Sequence, residues 1–313
     1  MQDTADVYHR PVVPLFSSYT IQLISGALSG LIADSFTHPL DTLRVRVQCV
    51  RKEHCLPSSF QLFKLCLQRE SWKGLYRGVG AVVAFSIPAH ALYFTSYENV
   101  KKVLERNGVH EQVSPTIAGV AAEFCGGLLW TPQDVIKQRS QLQGAPGVID
   151  DGKYANLRRS IRTIWLEEGL GGFYRGYFIA FVSFAPFSAL YFSGFEWSRK
   201  LLRLVLTKEE SNGFVDLVAG AAGGSLATIL TTPLDILKTR YQVEKSIQFE
   251  NSRTLSDKSS PSISRIAVEL VKEEGITGLF RGVGIRLVWL VPAASITITI
   301  YESLKRNLER LLG

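Results

Sequence analysis

The sequence is poor in the residues that form metal, redox or catalytic sites. Its 313 residues include one methionine, at position 1, and four cysteines with no paired-ligand spacing: Cys49, Cys55, Cys66 and Cys125. Cys49, His54 and Cys55 share a short basic segment, but without a fourth ligand they are weak evidence for a metal site. No nucleophile–base pair or nucleic-acid motif stands out. We therefore predict that the chain has no catalytic residues, is not an enzyme, holds no metal or cofactor and does not bind nucleic acid.

The N-terminal segment lacks the features of a cleaved targeting peptide. Asp3 and Asp6 occur early, and there is neither an apolar central region nor an Arg/Ser-rich amphipathic pattern. We therefore predict an uncleaved tail over residues 1–16.

The composition favours a membrane protein. Hydrophobic residues make up 46% of the chain, 26 glycines are spread along it, and the formal net charge is +7. A soluble protein of this size is usually more polar, and basic residues beside a membrane are attracted to anionic lipid.

Three short motifs each occur three times, in the same order. The first is PLDTLR from Pro39, PQDVIK from Pro132 and PLDILK from Pro233; the second is YRG or FRG, from positions 76, 174 and 280. The third is YENVK, FEWSR or YESLK, from positions 97, 195 and 301, and it begins 19 residues after the RG glycine in every copy. We predict one structural domain of three repeats, 17–106, 107–206 and 207–313, with variable loops after the first motif.

Each repeat contains two apolar segments of about the 20 residues that a membrane-spanning helix needs. They are Phe16–Leu40, Val79–Tyr97, Val113–Gln133, Tyr177–Phe195, Leu217–Leu234 and Val283–Tyr301. Amphipathic stretches between them, Leu157–Gly169 and Ile263–Gly275, are typical of short helices at a membrane surface. A soluble helical solenoid is disfavoured because Tyr177–Phe195 has no charged residue. We predict an all-α membrane protein with six transmembrane helices in three pseudo-symmetric repeats.

The first motif places an acid two residues and a base five residues after each proline. Acid and base share one helix face, and each proline is expected to kink its helix. Charges inside a membrane have to pair or face water. We therefore predict a ring of ion pairs between repeats that acts as a gate: Asp41 with Lys137, Asp134 with Lys238, and Asp235 with Arg44.

The third motif supplies a second set of charges near the other end of the helices. Its members are Glu98, Lys101, Glu196, Arg199, Glu302 and Lys305. Charges at helix ends are often only surface residues whose basic groups reach the interface, but three matched copies favour a gate. Two gates that open alternately, with a substrate site between them, would allow alternating access.

The pattern P-x-[DE]-x-x-[KR]-x-[KR]-x-Q, present as PLDTLRVRVQ, PQDVIKQRSQ and PLDILKTRYQ, resembles the signature of the mitochondrial carrier family. The resemblance covers about residues 17–310. It implies a monomeric six-helix bundle in the inner mitochondrial membrane, with both termini towards the intermembrane space, although a few such carriers are peroxisomal. It also implies that the first motif forms the matrix gate, with short amphipathic helices on the matrix side, and that the third motif forms the cytoplasmic gate. Bound cardiolipin, an anionic lipid, is expected near the RG motifs.

The resemblance also assigns residues that brace the two gates. The last glutamine of each signature is expected to brace the matrix gate: Gln48, Gln141 and Gln242. The hydroxyls of Tyr97 and Tyr301 are expected to brace the cytoplasmic gate. Phe195 has no hydroxyl, so the corresponding brace is expected to be missing.

Two sets of residues are candidates for substrate binding. The resemblance places selection at the seventh and eighth residues after each RG glycine, none of them an arginine: Phe85, Ser86, Ser183, Phe184, Trp289 and Leu290. Helical spacing puts Asp34 and Glu123 two and three turns before gate aspartates, on the face towards a central cavity. Arg286 is a candidate substrate contact or a partner for either acid. His90 is a candidate too, although a helix–helix hydrogen bond is the simpler role for it.

Three branches of the family share features with this chain. The acids at positions 34 and 123 with GVGIRLVWL resemble S-adenosylmethionine carriers, although Ser183-Phe184 replaces an Arg-Glu pair. PAHALYFTSYENVKK resembles mitoferrins, the iron carriers, although the fourth span has no Met-Asn pair. GFYRGY and IYESLK resemble branched-chain amino-acid carriers, and a non-transporting subunit or proton-leak protein is a further alternative. We favour a cationic organic solute, since carboxylates and Trp289 suit a positive charge.

Overall fold

The computed structural model describes residues 18–49, 59–110, 113–205, 212–244 and 262–312. The predicted tail 1–16, His54 and Cys55 of the weak metal-site candidate, and most of the loop of the third repeat lie outside this part. The described residues form ten α-helices: α1 (Ser18–Cys49), α2 (Ser59–Leu75), α3 (Val79–Arg106), α4 (Ser114–Leu142), α5 (Leu157–Glu168), α6 (Leu170–Phe173), α7 (Tyr177–Val205), α8 (Asn212–Val243), α9 (Ile263–Glu274) and α10 (Val283–Leu312). A 3-10 helix, Ile276–Phe280, precedes α10.

Six long helices form the body of the molecule, two from each repeat, with shorter helices between them. The second long helix of each repeat packs along the first of the next: α3 along α4, α7 along α8, and α10 back along α1. This last contact closes the bundle into a ring. The predicted all-α fold with six long helices in three repeats is therefore confirmed.

Four segments of the described chain are long and apolar enough to cross a membrane by length and composition: Val79–Arg106, Leu170–Leu204, Val215–Val243 and Ile276–Arg310. They coincide with α3, α7, α8 and α10. The other two long helices, α1 and α4, span 32 and 29 residues. Serine, glycine and an acid dilute their apolar residues, and small polar residues of this kind let helices pack closely inside a membrane bundle.

Every long helix continues through an internal proline. α1, α4 and α8 each end nine residues after the span predicted from hydrophobicity, because the polar residues of the first motif stay helical beyond the proline. The other three long helices contain a second repeated set of prolines, to which no role was assigned from the sequence: Pro88, Pro186 and Pro292.

The predicted amphipathic helices form as α5 and α9. The side chains of Asn156 and Ser262 cap their first turns, accepting hydrogen bonds of 2.9 and 3.3 Å from backbone N–H groups. Both helices end at a glycine with positive φ, Gly169 at 64° and Gly275 at 73°. In α2 the same position is Ser71, whose φ is 59°. A backbone that favours glycine is thus occupied by serine in the first repeat.

Apolar clusters hold the short helices against the ends of the long ones. One joins α1, α2 and α10: Leu43, Val47, Leu62, Cys66, Leu75 and Ile285. Another joins α3, α4 and α5 with the segments beside them: Ala81, Val135, Ile136, Tyr154, Ile164 and Phe173. These clusters fix the end of the bundle where the first-motif charges lie.

Candidate functional site

The first-motif charges form a closed ring of ion pairs between repeats. We call the six residues Asp41, Arg44, Asp134, Lys137, Asp235 and Lys238 the proline-motif cluster. Its three inter-repeat N–O distances are 2.7 Å for Arg44–Asp235, 3.3 Å for Lys137–Asp41 and 2.8 Å for Lys238–Asp134. Two bases also contact the acid of their own repeat, Arg44 at 3.1 Å and Lys137 at 3.5 Å. The structure thus brings together the partners that the sequence suggested.

The signature glutamines brace this ring unequally. Gln48 Nε2 donates to Asp235 at 2.9 Å, and Gln141 Nε2 donates to Asp41 at 3.1 Å. Both side-chain polar atoms of Gln242 are buried, with no hydrogen-bond partner in the described part of the chain. The Asp134–Lys238 pair therefore lacks the glutamine contact that the other two pairs have.

Arg286 extends the ring on one side. Its Nε lies 3.6 Å from Asp235 Oδ2, and its Nη1 donates to the Thr232 hydroxyl at 3.0 Å. Asp34 or Glu123 was the partner expected from the sequence, but Arg286 contacts Asp235 instead. Helical spacing located Arg286 on its own helix but could not show which acid of α8 lay opposite.

A second ring of charges, not predicted from the sequence, surrounds the first. The second base of each signature donates through Nε to the backbone carbonyl of the signature glutamine in the next repeat: Arg46 to Gln141 at 2.8 Å, Arg139 to Gln242 at 3.2 Å and Arg240 to Gln48 at 2.8 Å. Each also pairs with a glutamate at the end of the short helix in its own repeat: Glu70 at 3.0 Å, Glu168 at 2.5 Å and Glu274 at 2.7 Å. The ring therefore ties every repeat to the next and to its own short helix.

The RG arginines complete this second ring. They contact the same three glutamates: Arg77 with Glu70 at 3.4 Å, Arg175 with Glu168 at 3.7 Å and Arg281 with Glu274 at 3.0 Å. The glutamate precedes the RG arginine by seven residues in all three repeats. That constant spacing was the sequence signal that could have revealed the ring.

The third-motif charges do not form a ring. We call the eight residues Tyr97, Glu98, Lys101, Glu196, Arg199, Tyr301, Glu302 and Lys305 the aromatic-motif cluster. Three of its charges pair within their own helix, at 3.8 to 4.0 Å: Lys101 with Glu105, Glu98 with Lys102 and Lys305 with Glu309. Arg199 forms an ion pair with Asp216 of α8, with 2.7 Å between Nε and Oδ1. Among the described residues, no ion pair joins two members of this cluster, so its charges do not pair between repeats.

The two predicted cavity acids lie without a salt bridge among the described residues. Asp34 and Glu123 are both half-buried, on α1 and α4. Lys137 and His90 lie near Asp34, and Lys238 lies near Glu123. Each acid thus lies near a base of the closed ring without being neutralised by direct contact.

The six positions assigned by resemblance have different surroundings. Phe85 packs against the apolar cluster of α3, α4 and α5, and Ser183 donates to the backbone carbonyl of Ile179 at 2.6 Å. The Ser86 hydroxyl and the Trp289 indole nitrogen are buried without a hydrogen-bond partner in the described chain. The remaining two, Phe184 and Leu290, are half-buried. Of the aromatic residues among these six positions, Trp289 has a buried N–H group without an acceptor in the described chain.

His90 contacts three helices. Its Nδ1 lies 2.8 Å from the Ser86 carbonyl oxygen of its own helix, and its ring packs edge-on against Trp130 of α4 at 5.6 Å. A Cβ at Gly30 of α1 would lie 3.3 Å from its Nε2. The ring therefore fills the space between α1, α3 and α4, and its hydrogen bond is within α3 rather than between helices.

Comparison with known proteins agrees with this architecture. The chain matches the family model described as Mitochondrial carrier protein over residues 16–108, 110–205 and 209–311. It is 33% identical to mitochondrial substrate carrier family protein E of Dictyostelium discoideum over 298 residues, 92% of this chain and 96% of that protein. It is 33% identical to Mitoferrin of the same organism over 300 residues, 92% and 94% of the two chains.

A third relative is named for a different substrate. The succinate/fumarate mitochondrial transporter of Saccharomyces cerevisiae is 31% identical over 301 residues, 93% of this chain and 92% of that protein. The three family matches follow the three sequence repeats. The chain therefore belongs to the mitochondrial carrier family and is a multi-pass transporter of the inner mitochondrial membrane, not an enzyme.

Proposed function

We propose that this carrier works by alternating access and that the structure is its cytoplasm-open state. The main support for this proposal is a difference between the two clusters. The charges of the proline-motif cluster pair between repeats, and those of the aromatic-motif cluster do not. In this proposal the first is the matrix gate and the second the cytoplasmic gate. The protein acts as a monomer, since one chain closes the helix ring by itself. An even number of spans puts both termini on one side of the membrane, which in this proposal is the intermembrane space.

The proposed substrate is a cationic or zwitterionic organic solute such as S-adenosylmethionine. Asp34 and Glu123 support it, because carboxylates without a salt bridge in a membrane cavity are functional candidates. Arg286, which an anion such as a dicarboxylate would need, is already held by Asp235 and Thr232. The cavity charge that is left for a solute is therefore negative.

A divalent metal ion is the second candidate substrate. Mitoferrins are among the relatives, and His90 lies near Asp34. However, no group of three His, Cys, Asp or Glu side chains that could hold a metal occurs among the described residues. An amino acid is a third candidate, and a non-transporting subunit is disfavoured because such a protein does not need a ring of breakable ion pairs.

We also propose that cardiolipin binds beside the RG motif of the second repeat. A cavity of about 440 Å³ there is lined by Gly172, Tyr174, Arg175, Gly176 and Tyr241, among others. Arg175 lies over the Tyr241 ring at 4.7 Å, and its buried Nη2 has no hydrogen-bond partner in the described chain. A lipid phosphate would supply an acceptor for this donor.

Thermal shift and uptake together test the proposed function. The purified protein is heated with S-adenosylmethionine, S-adenosylhomocysteine, thiamine pyrophosphate, nucleotides, amino acids, Fe²⁺ or Mn²⁺, since a ligand of the folded state raises its stability. We expect S-adenosylmethionine to raise the melting temperature and to enter proteoliposomes. S-adenosylhomocysteine, which lacks the sulfonium charge, should do neither.

Variants identify the site. Asp34→Asn should abolish the shift, whereas Glu167→Gln, which removes an exposed carboxylate from α5, should keep it. If Fe²⁺ raises the melting temperature and His90→Ala removes this effect, the substrate is the metal ion. If neither shift nor uptake occurs with any solute, the transport proposal is wrong.

A further inference from the structure

A cavity between α4 and α7 has a lining that the proposed substrate site does not explain. Its volume is about 190 Å³, well above the ~30 Å³ share of one liquid water. The lining includes Glu123, Trp130 and Asp134 of α4, Tyr177 and Phe181 of α7, and Lys238 of α8. We call these six residues the α4–α7 cavity. Glu123, Asp134 and Lys238 were named earlier as candidate residues, whereas none of the three aromatic residues was a candidate.

The sequence places this lining on matching helix faces. Glu123, Trp130 and Asp134 are seven and four residues apart, so they lie along one face of α4, and Tyr177 and Phe181 are four apart on α7. Gly127 lies between Glu123 and Trp130 on α4, and a Cβ at this glycine would come within 2.9 Å of the Tyr177 ring. The glycine therefore lets the tyrosine lie against α4 and close one side of the cavity.

The aromatic walls are held in place by their neighbours. The Tyr177 hydroxyl donates to the Phe124 carbonyl oxygen at 2.6 Å, and Phe124 packs edge-on against both Tyr177 and Phe181, at 5.6 and 5.8 Å. Trp130 packs against Tyr93 at 5.4 Å. Rings fixed in this way lose little conformational entropy when a ligand binds.

The charges of the α4–α7 cavity leave one carboxylate to be matched. Asp134 and Lys238 neutralise each other at 2.8 Å. Glu123 has no salt bridge among the described residues, and it lines the cavity together with Tyr177. The cavity thus combines three aromatic side chains with one unmatched negative charge.

We propose that the α4–α7 cavity binds the methylated onium group of the solute, a sulfonium or quaternary ammonium, between Trp130, Tyr177, Phe181 and Glu123. Aromatic faces attract such cations, and a methylated onium has no N–H groups that would be left without acceptors there. A bare metal ion would need several oxygen or nitrogen ligands. This inference rests on the proposed function, because it names the chemical group that the solute carries.

The location also gives the onium a contact with the matrix gate. Asp134 lines the cavity and belongs to the inter-repeat pair that Gln242 does not brace. A cation bound beside Asp134 competes with Lys238 for the same carboxylate. The site is therefore placed where binding weakens one pair of the closed ring.

Binding of small onium probes to the purified full-length protein tests the site. Choline is compared with 3,3-dimethylbutan-1-ol, its neutral isostere, by calorimetry, and S-adenosylmethionine with S-adenosylhomocysteine. We expect the charged member of each pair to bind at least about tenfold more tightly. Trp130→Leu and Phe181→Leu should each weaken choline binding about tenfold, Glu123→Gln should weaken it further, and Trp130→Phe should fall between Trp130→Leu and wild type. Trp165→Leu removes a largely exposed tryptophan of α5 and should bind choline as wild type does.

Several results would overturn the inference. They are equal binding of choline and its isostere, wild-type affinity in Trp130→Leu, or no onium binding by the wild-type protein. Melting temperatures without ligand, together with the milder Trp130→Phe, separate a lost site from a misfolded variant. Uptake of a solute that Asp34→Asn abolishes and Trp130→Leu leaves unchanged would keep the proposed function while removing this site.

Discussion

Arg44 of α1 donates two hydrogen bonds to the carboxylate of Asp235 on α8, at 2.7 and 2.8 Å. The same carboxylate accepts a third from Gln48 and lies 3.6 Å from Arg286. Asp235 is therefore the most heavily contacted acid of the proline-motif cluster. Removing one partner of a buried ion pair costs about 3–5 kcal/mol, because the other charge is left uncompensated.

Charge exchange tests the role of this pair. Arg44→Glu alone puts three carboxylates together and should reduce uptake into proteoliposomes by at least about tenfold, since each 1.4 kcal/mol is a factor of ten. Asp235→Lys alone should be similarly damaging, because it places a lysine beside Arg44 and Arg286. The double variant restores opposite charges and should take up several times more solute than either single variant. Equal or lower uptake by the double variant would count against the pairing.

The unequal bracing by the glutamines gives a second prediction. Gln48→Leu and Gln141→Leu each remove a hydrogen bond to a charged acceptor, worth about 1.5–3 kcal/mol, and should lower the melting temperature. Gln242→Leu removes two buried polar atoms that have no partner in the described chain, so it should leave the melting temperature unchanged or raise it. All three are measured in one detergent and lipid mixture. An equal loss in all three would mean that Gln242 braces the gate as the others do.

The sequence predicted the six long helices from their apolar segments and the repeats from the spacing of the motifs. It predicted the closed ring for a separate physical reason. A charge in a membrane has to be paired, and a motif repeated three times supplies both partners at matching heights. The pairs Lys137–Asp41 and Lys238–Asp134 follow from that symmetry. Contacts that break the symmetry were missed: Arg286 reaches Asp235, and Arg199 reaches Asp216, because spacing along one helix does not show what the neighbouring helix presents.

The second ring was missed although its signal was regular. The sequence showed the second base of each signature only as part of a motif: Arg46, Arg139 and Arg240. These arginines donate to backbone carbonyls, which no sequence pattern identifies. The glutamates seven residues before each RG arginine carried the missing information. The α4–α7 cavity had no such signal, since Trp130, Tyr177 and Phe181 do not recur in the other repeats.

Arg46 should be among the residues least tolerant of substitution. Its side chain is fully buried, and its guanidinium binds Glu70 and the carbonyl oxygens of Gln141 and Gln143. Arg46→Met should destabilise the protein by about 3–5 kcal/mol. Arg46→Lys should destabilise the protein less than Arg46→Met, because the lysine ammonium keeps the positive charge. It should still destabilise the protein, because an ammonium lacks the planar set of donors of a guanidinium.

Thermal unfolding of the purified variants measures this effect. Arg69→Met, on the exposed side of α2, is the matched control and should change stability by less than about 0.5 kcal/mol. If Arg46→Met unfolds at the wild-type temperature, the second ring does not hold the repeats together.

Asp216 is predicted to keep the aromatic-motif end open. It holds Arg199 at 2.7 Å, so this base is not available to a glutamate of the same cluster. Asp216→Asn should shift the balance towards the closed form of that end by up to about 1 kcal/mol, or about fivefold, because both side chains are partly exposed. Distances between spin labels at the ends of α3 and α7 measure the shift. Glu269→Gln, which breaks a partly exposed pair on α9, should leave these distances unchanged.

Ser71 offers a stabilising substitution in the first repeat. Its φ of 59° and ψ of −175° lie in a region that is essentially restricted to glycine and costs another residue about 1–3 kcal/mol. Ser71→Gly should therefore raise the unfolding free energy by about 1 kcal/mol, after the extra flexibility of glycine in the unfolded chain is subtracted. The reverse change, Gly169→Ser, imposes the same backbone on serine in the second repeat and should lower stability by a similar amount. Thermal unfolding of both variants in one detergent tests this prediction. The melting temperature should rise for Ser71→Gly and fall for Gly169→Ser. A lower melting temperature for both variants would show that contacts of the Ser71 side chain outweigh its backbone strain.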